Sequence, residues 1–125
     1  MKILDSDHCV AVLRGRLRLP DEELAITTIN VAELVHGAFR SARLADNLAS
    51  VDILLSALTI LPFDEASARI FGELKALLER SGYPLDDLDL QIASIALAND
   101  AILVTHNQRH FVRVPGIVLE DWMQS

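Results

Sequence analysis

Short apolar runs separated by long segments of helical period constrain this chain more than any other feature. Ile3-Leu4 and the stretches 24–28, 59–62 and 101–105 are too short for helices and read as buried strands. A fifth, weaker run covers 117–119. Helical segments fill the gaps. Residues 7–18 put Val10, Leu13 and Leu17 on one face, and a helix through Arg40 carries Ala32, Val35, Ala38 and Phe39, with Thr28 or Asn30 as its cap. Another helix covers 42–57. Asp64 caps one whose apolar face is Ile70, Phe71, Leu74, Leu77 and Leu78, and Gly82 ends it. A last helix covers 86–99. Strands alternating with helices imply an α/β fold with a mostly parallel sheet covered on both faces. Ligands of such sheets bind beyond the carboxyl ends of the strands, where Asp5 and Thr105 fall.

Length and composition narrow the function. A chain of 125 residues suits a single domain spanning 1–125, large enough to bury a core without staples. One cysteine, Cys9, excludes an internal disulfide framework, reads as a small buried hydrophobe, and fits a cytoplasmic setting. No apolar run is long enough for a membrane span, and the N-terminus lacks the pattern of a secretory signal. The net charge of −7 makes the chain a poor general nucleic-acid binder, although it leaves local binding open. Aromatic residues are 5% of the chain, too few for a platform stacking successive bases. The acidic balance suits hard cations.

Several residues carry chemistry, and each has a plainer reading. Asp5 ends a strand, where it serves either a reaction or as a helix cap. Glu33 lies one turn into a helix, where Asn30, three residues earlier, makes it a capping-box candidate. Asp86, Asp87 and Asp89 open a helix, where acids are favoured by the dipole. Asp89 stands apart because Leu88 and Leu90 flank it, and a carboxylate near an apolar face needs a partner such as a divalent cation. His106 and His110 are four apart, but no third ligand at matching spacing supports zinc. His8 and His36 read as surface or helix-end residues.

The order of these pieces resembles PIN-domain ribonucleases, specifically the VapC-type toxins of toxin–antitoxin pairs. Ile3-Leu-Asp-Ser-Asp-His8 is similar to that family's opening motif, and Ile29-Asn-Val-Ala-Glu-Leu-Val-His-Gly37 to its second. Leu61-Pro-Phe-Asp-Glu65 resembles the segment before its central helix. Gly82-Tyr-Pro-Leu85 and Asp89-Leu-Gln-Ile-Ala93 resemble the third motif. Leu103-Val-Thr-His-Asn107, Phe111-Val-Arg-Val-Pro-Gly116 and Glu120-Asp-Trp122 resemble the C-terminal signature. The resemblance implies a PIN-like three-layer α/β fold, a homodimer, an RNA substrate and a VapB-type antitoxin whose basic residue enters the acidic site. It implies that Asp5, Glu33 and Asp89 are the catalytic acids and hold Mg²⁺, or Mn²⁺, with Ser6 and Thr105 supporting. Where the family often has a fourth acid, this chain has His110, so Asn107 and His110 are the candidates for the fourth position.

Two other readings fit parts of the chain. Asp5-Ser-Asp7 is the Asp-x-Asp of a haloacid-dehalogenase-like phosphatase, but Lys75 sits in mid-helix and Asp86-Asp87 does not follow a strand. A catalytically degenerate PIN domain acting only as a binding module is motivated by His110.

Overall fold

A computed structural model describes residues 1–123. Its centre is a five-stranded sheet of order β3-β2-β1-β4-β5, in which every pairing is parallel. The strands are β1 (Lys2–Leu4), β2 (Leu24–Thr27), β3 (Thr59–Leu61), β4 (Ile102–Val104) and β5 (Leu119–Glu120). Six helices accompany them: α1 (Ser6–Leu13), α2 (Thr28–Arg40), α3 (Leu44–Ser56), α4 (Glu65–Arg80), α5 (Asp87–Ala98) and α6 (Gln108–Phe111).

Strand alternation divides the core between two faces. Ile3, Ala25, Leu61 and Leu103 point to one face, where α4, α5 and α6 cover them with Leu74, Leu78, Leu90, Ile92, Ile95 and Phe111. Leu4, Leu24, Ile26 and Val104 point to the other, under Cys9 of α1, Leu34 of α2, and Val51 and Leu54 of α3. The three-layer α/β reading holds, and the sheet is parallel throughout. No described helix is long and apolar enough to cross a membrane.

Local chemistry accounts for the element ends. Asp64 caps α4 by accepting from Ser67 N at 2.9 Å. After α4, Gly82 takes φ +78°, its N–H reaches Glu79 O, and the Tyr83 N–H reaches Leu78 O, which is a Schellman ending. The first helix is shorter than its 7–18 pattern. Gly15 at φ +72° and the Arg16 N–H to Ala11 O bond close it after Leu13 in the same way. The second helix is capped by Thr27, whose side chain accepts from Asn30 N, and not by Thr28 or Asn30. The last strand is Leu119–Glu120, two residues beyond the start of the expected 117–119 run, and α6 had no sequence signal.

The chain runs β1, β2, β3 towards one edge, then returns to place β4 on the other side of β1. The crevice of a doubly wound sheet opens at such a reversal, beyond the carboxyl ends of the two strands. Asp5 and Thr105 are the residues that follow β1 and β4, and Asp5 N donates to Val104 O there.

Candidate active site

Asp5 is buried to 7% exposure at this switch point. The cap reading of it holds. It caps α1, with Oδ1 accepting from Ser6 N at 2.9 Å, and it also anchors a side-chain network. Oδ1 accepts from Asn30 Nδ2 at 2.9 Å, and Oδ2 accepts from the Thr105 hydroxyl at 2.7 Å. Burial raises the pKa of Asp5 and the charge of Asp7 adds to the rise, while Thr105, Ser6 and Asn30 oppose it.

Glu33 does not close a capping box. It lies on the exposed side of α2 and accepts the Ser6 hydroxyl at 2.9 Å and Asn30 Nδ2 at 3.3 Å. Its pKa is raised by lost hydration first, then by the charges of Asp5 and Asp89. Asp89 stands in the first turn of α5, with Oδ2 at 3.1 Å from His110 Nδ1. Lost hydration raises its pKa and the charge of Asp5 adds to the rise, while His110 pulls it down. Ser6 and Asn30 bridge Asp5 to Glu33 by hydrogen bonds, and the charge of Asp5 acts on both Glu33 and Asp89. Asp86 and Asp87 have other work. Asp86 caps α5 by accepting from Leu88 N, and Asp87 pairs with Lys75 at 2.9 Å on the surface.

The two candidates for a fourth position sit differently. His110 is exposed at the rim and touches Asp89. Asn107 meets the cluster through its backbone, donating N–H to Thr105 Oγ1 at 3.1 Å, and its side chain does not cap α6.

Two contributors were not identified from sequence as part of the site. Asn30 is fully buried, and its amide spans Asp5, Ser6 and Glu33 while its Oδ1 accepts the Thr27 hydroxyl at 2.7 Å. Its signal was the Thr27-x-x-Asn30-x-x-Glu33 spacing, which sets Asn30 and Glu33 on one helix face. Asp7 is the other. It accepts from His8 Nδ1 at 2.7 Å and from His106 N at 2.9 Å, and it lies 3.3 Å from Thr105 Oγ1, whose single proton goes to the nearer Asp5. Burial alone would raise the Asp7 pKa, but the His8 ring and the His106 N–H outweigh it and hold the carboxyl below its ordinary range. His8 is not a surface residue. It is fully buried, and its Nε2 accepts the Trp122 N–H at 3.0 Å, so the proton sits on Nδ1 facing Asp7. The Asp121 oxygen at 3.4 Å from that Nε2 faces a lone pair already in use. Asp7 is thus committed to holding the loop after β4, and Lys75 to the surface, which leaves the phosphatase arrangement without its second acid and its lysine.

Apart from His110 and Asn107 at the fourth position, the candidate ligands are carboxylate oxygens with hydroxyl support, which suits a hard divalent cation better than zinc. Among the described residues no three Asp, Glu, His or Cys side chains are already closed into one ligand set, so the acids share an edge without sharing a coordination sphere. Raised carboxyl pKa values at Asp5, Glu33 and Asp89 are what a cation of charge +2 held by these residues would relieve.

Known proteins give this arrangement its context. A family model described as PIN domain matches residues 2–117. The chain is 35% identical to the protein named ribonuclease VapC2 of Rickettsia felis, over 96% of each chain. It is also 35% identical to the tRNA(fMet)-specific endonuclease VapC of Salmonella typhimurium, again over 96% of each. Its fold is similar to a crystal structure of DNA-bound VapBC from Salmonella typhimurium, with TM-score 0.89, 34% identity and 98% of each chain covered. VapBC2 of Rickettsia felis, bound to a promoter DNA fragment, matches with TM-score 0.88, 34% identity and 98% of each chain covered.

Proposed function

The chain belongs to the PIN-domain family, and on that premise we propose that it is a VapC-type endoribonuclease toxin, neutralised by a VapB-type antitoxin in the cytoplasm. The observation that carries the reading is Asp5. It is a buried carboxylate at the switch point, fixed by three donors, with Glu33 and Asp89 in its field.

Asp5, Glu33 and Asp89 would hold Mg²⁺, with Mn²⁺ as its substitute. The cation would neutralise charge developing on the phosphate and acidify water at the site. The chain's own residues do the positioning. Asn30 and Thr105 grip opposite oxygens of Asp5, and Ser6 and Asn30 turn Glu33 inward. His110 restrains Asp89 Oδ2 at the rim. Phe39 and Ile53 are 61% and 73% exposed, which supports a homodimer or an antitoxin covering that side.

The test is purified protein with total RNA and Mg²⁺, followed by sequencing of new 5′ ends. tRNA(fMet) is the first single substrate to try, given the Salmonella relative. Metal-dependent cleavage lost in Asp5→Asn supports the reading. The His110 contact, which takes up one oxygen of Asp89, favours the binding-only alternative, and RNA binding without cleavage at any Mg²⁺ or Mn²⁺ concentration would establish it.

A further inference from the structure

A second feature borders the acid cluster. On the outer side of His110 lies a groove of about 230 Å³ lined by Tyr83, Pro84, Leu85, Arg109, His110 and Arg113. The Arg113 guanidinium carbon lies 3.5 Å from the centroid of the Tyr83 ring, which is a stacked cation–π contact. His110 is the shared wall, since its Nδ1 contacts Asp89 Oδ2. Neither Arg109 nor Arg113 is in an ion pair among the described residues, so both guanidinium groups are free to meet a ligand. In a chain of net charge −7, two uncommitted arginines beside an acid cluster are a local reversal of field.

Both halves of the stack are mounted rigidly. Tyr83 follows the Schellman ending of α4, with its own N–H bonded to Leu78 O at 3.0 Å. Arg113 lies between Phe111, which is fully buried, and Val114, whose N–H bonds Phe111 O at 3.0 Å. Tyr83 and Arg113 are nonetheless exposed. Holding an exposed arginine flat on an exposed ring keeps the other guanidinium face available, and guanidinium planes and aromatic rings are the surfaces on which unpaired RNA bases stack. The groove is smaller than pockets for whole drug-sized ligands, which begin at about 300 Å³. The few aromatics exclude a run of stacked bases, and the groove offers one position.

We propose that this groove is an RNA subsite flanking the cleaved bond, in which one unpaired base stacks on the Arg113–Tyr83 pair and Arg109 meets the adjoining phosphate. The inference rests on the ribonuclease reading above and adds where the substrate strand lies. It makes Tyr83 and Arg113 binding residues with no part in the chemistry.

The experiment compares the parent with Tyr83→Ala, Tyr83→Phe, Arg113→Ala and the control Arg69→Ala. The probe is a fluorescein-labelled single-stranded oligoribonucleotide spanning the mapped cleavage site. Cleavage kinetics, anisotropy without Mg²⁺, melting temperature and oligomeric state are measured. Tyr83→Ala and Arg113→Ala are expected to raise KM about tenfold with kcat within about twofold, because a stacked base contributes on that scale. Tyr83→Phe and Arg69→Ala should match the parent. Arg109→Ala, made alongside these, should lower the slope of log affinity against log salt by about one contact, because Arg109 is the residue placed on the phosphate. KM within about twofold of the parent in both alanine variants overturns the subsite. A fall in kcat at unchanged KM overturns it too, since the effect would then act on His110 and the acids. A changed oligomeric state with unchanged KM would make the groove an interface between copies, against the proposal. If the parent cuts no RNA, the ribonuclease reading fails and anisotropy alone judges the groove. About tenfold weaker binding in the alanine variants then supports it, while equal binding, or none by the parent, overturns it.

Discussion

Asn30→Ala isolates the network that aims the acids. Asn30 is fully buried, so its removal cannot be repaired by bulk solvent. Asp5 Oδ1 loses a donor at 2.9 Å and keeps only the Ser6 N–H. A hydrogen bond to a charged acceptor contributes about 1.5–3 kcal/mol. The Thr27 hydroxyl also loses its acceptor at 2.7 Å, which costs about 1 kcal/mol or more when nothing replaces it. The expected loss near pH 7 is therefore about 2.5–4 kcal/mol, with a fall in melting temperature of about 10 °C. The loss depends on pH in a set direction. Asn30 opposes the rise in the Asp5 pKa, so removing it pushes the folded-state value higher still. A raised acid costs stability once pH exceeds both its folded and unfolded values, and that cost vanishes as pH falls below them. The deficit should thus shrink towards about pH 4, near the ordinary carboxylate range. Urea unfolding followed by circular dichroism at both pH values measures it. A deficit under about 1 kcal/mol near pH 7, or one equal at both, would refute the account of Asn30 as the donor that stabilises ionised Asp5.

Asp5→Asn and Asp89→Asn should abolish RNA cleavage and keep the fold, while Asp87→Asn, which loses only a surface pair with Lys75, should retain most activity. Parallel cleavage and melting assays on the three variants check this. Mg²⁺ should raise the melting temperature of the parent near pH 7 by relieving Asp5, Glu33 and Asp89, and a chelator should reverse the gain. The same rise in Asp5→Asn would show that the cation binds elsewhere. Phe111→Ala should cost about 3–5 kcal/mol in urea unfolding, because the ring is fully buried and seats α6 beneath His110. Burial pushes the Cys9 thiol up to about 12, so the native protein should resist thiol reagents near pH 8, and fast labelling would contradict its place under the sheet.

Much of the architecture was legible in local pattern. Asp64 and Gly82 bound α4 because capping and left-handed backbone are properties of single residues. Ile3-Leu4 and the 24–28 and 101–105 runs are strands because residues buried on both faces have no room for polar alternation. Asp5 at the end of a strand was visible for the same reason. Gly15 carried an equally local stop signal for α1, which the helical period running on to Leu17 obscured. Long-range pairing was beyond any local reading. Thr105 meets Asp5 across 100 residues only because β4 returns beside β1, and the strand order belongs to the whole sheet. His8 looks like a helix-end residue until the C-terminal segment closes over it, bringing the Trp122 N–H to the nitrogen that its neighbour Asp7 leaves open. Asn30 looks like a cap until α2 is laid against α1, when its amide reaches Asp5 and Ser6. Residue type and spacing determined which groups carry acid, hydroxyl or ring. Tertiary structure decided which of them face one another, because hydrogen bonds and carboxylate repulsion act over a few ångströms of space and take no account of separation along the chain.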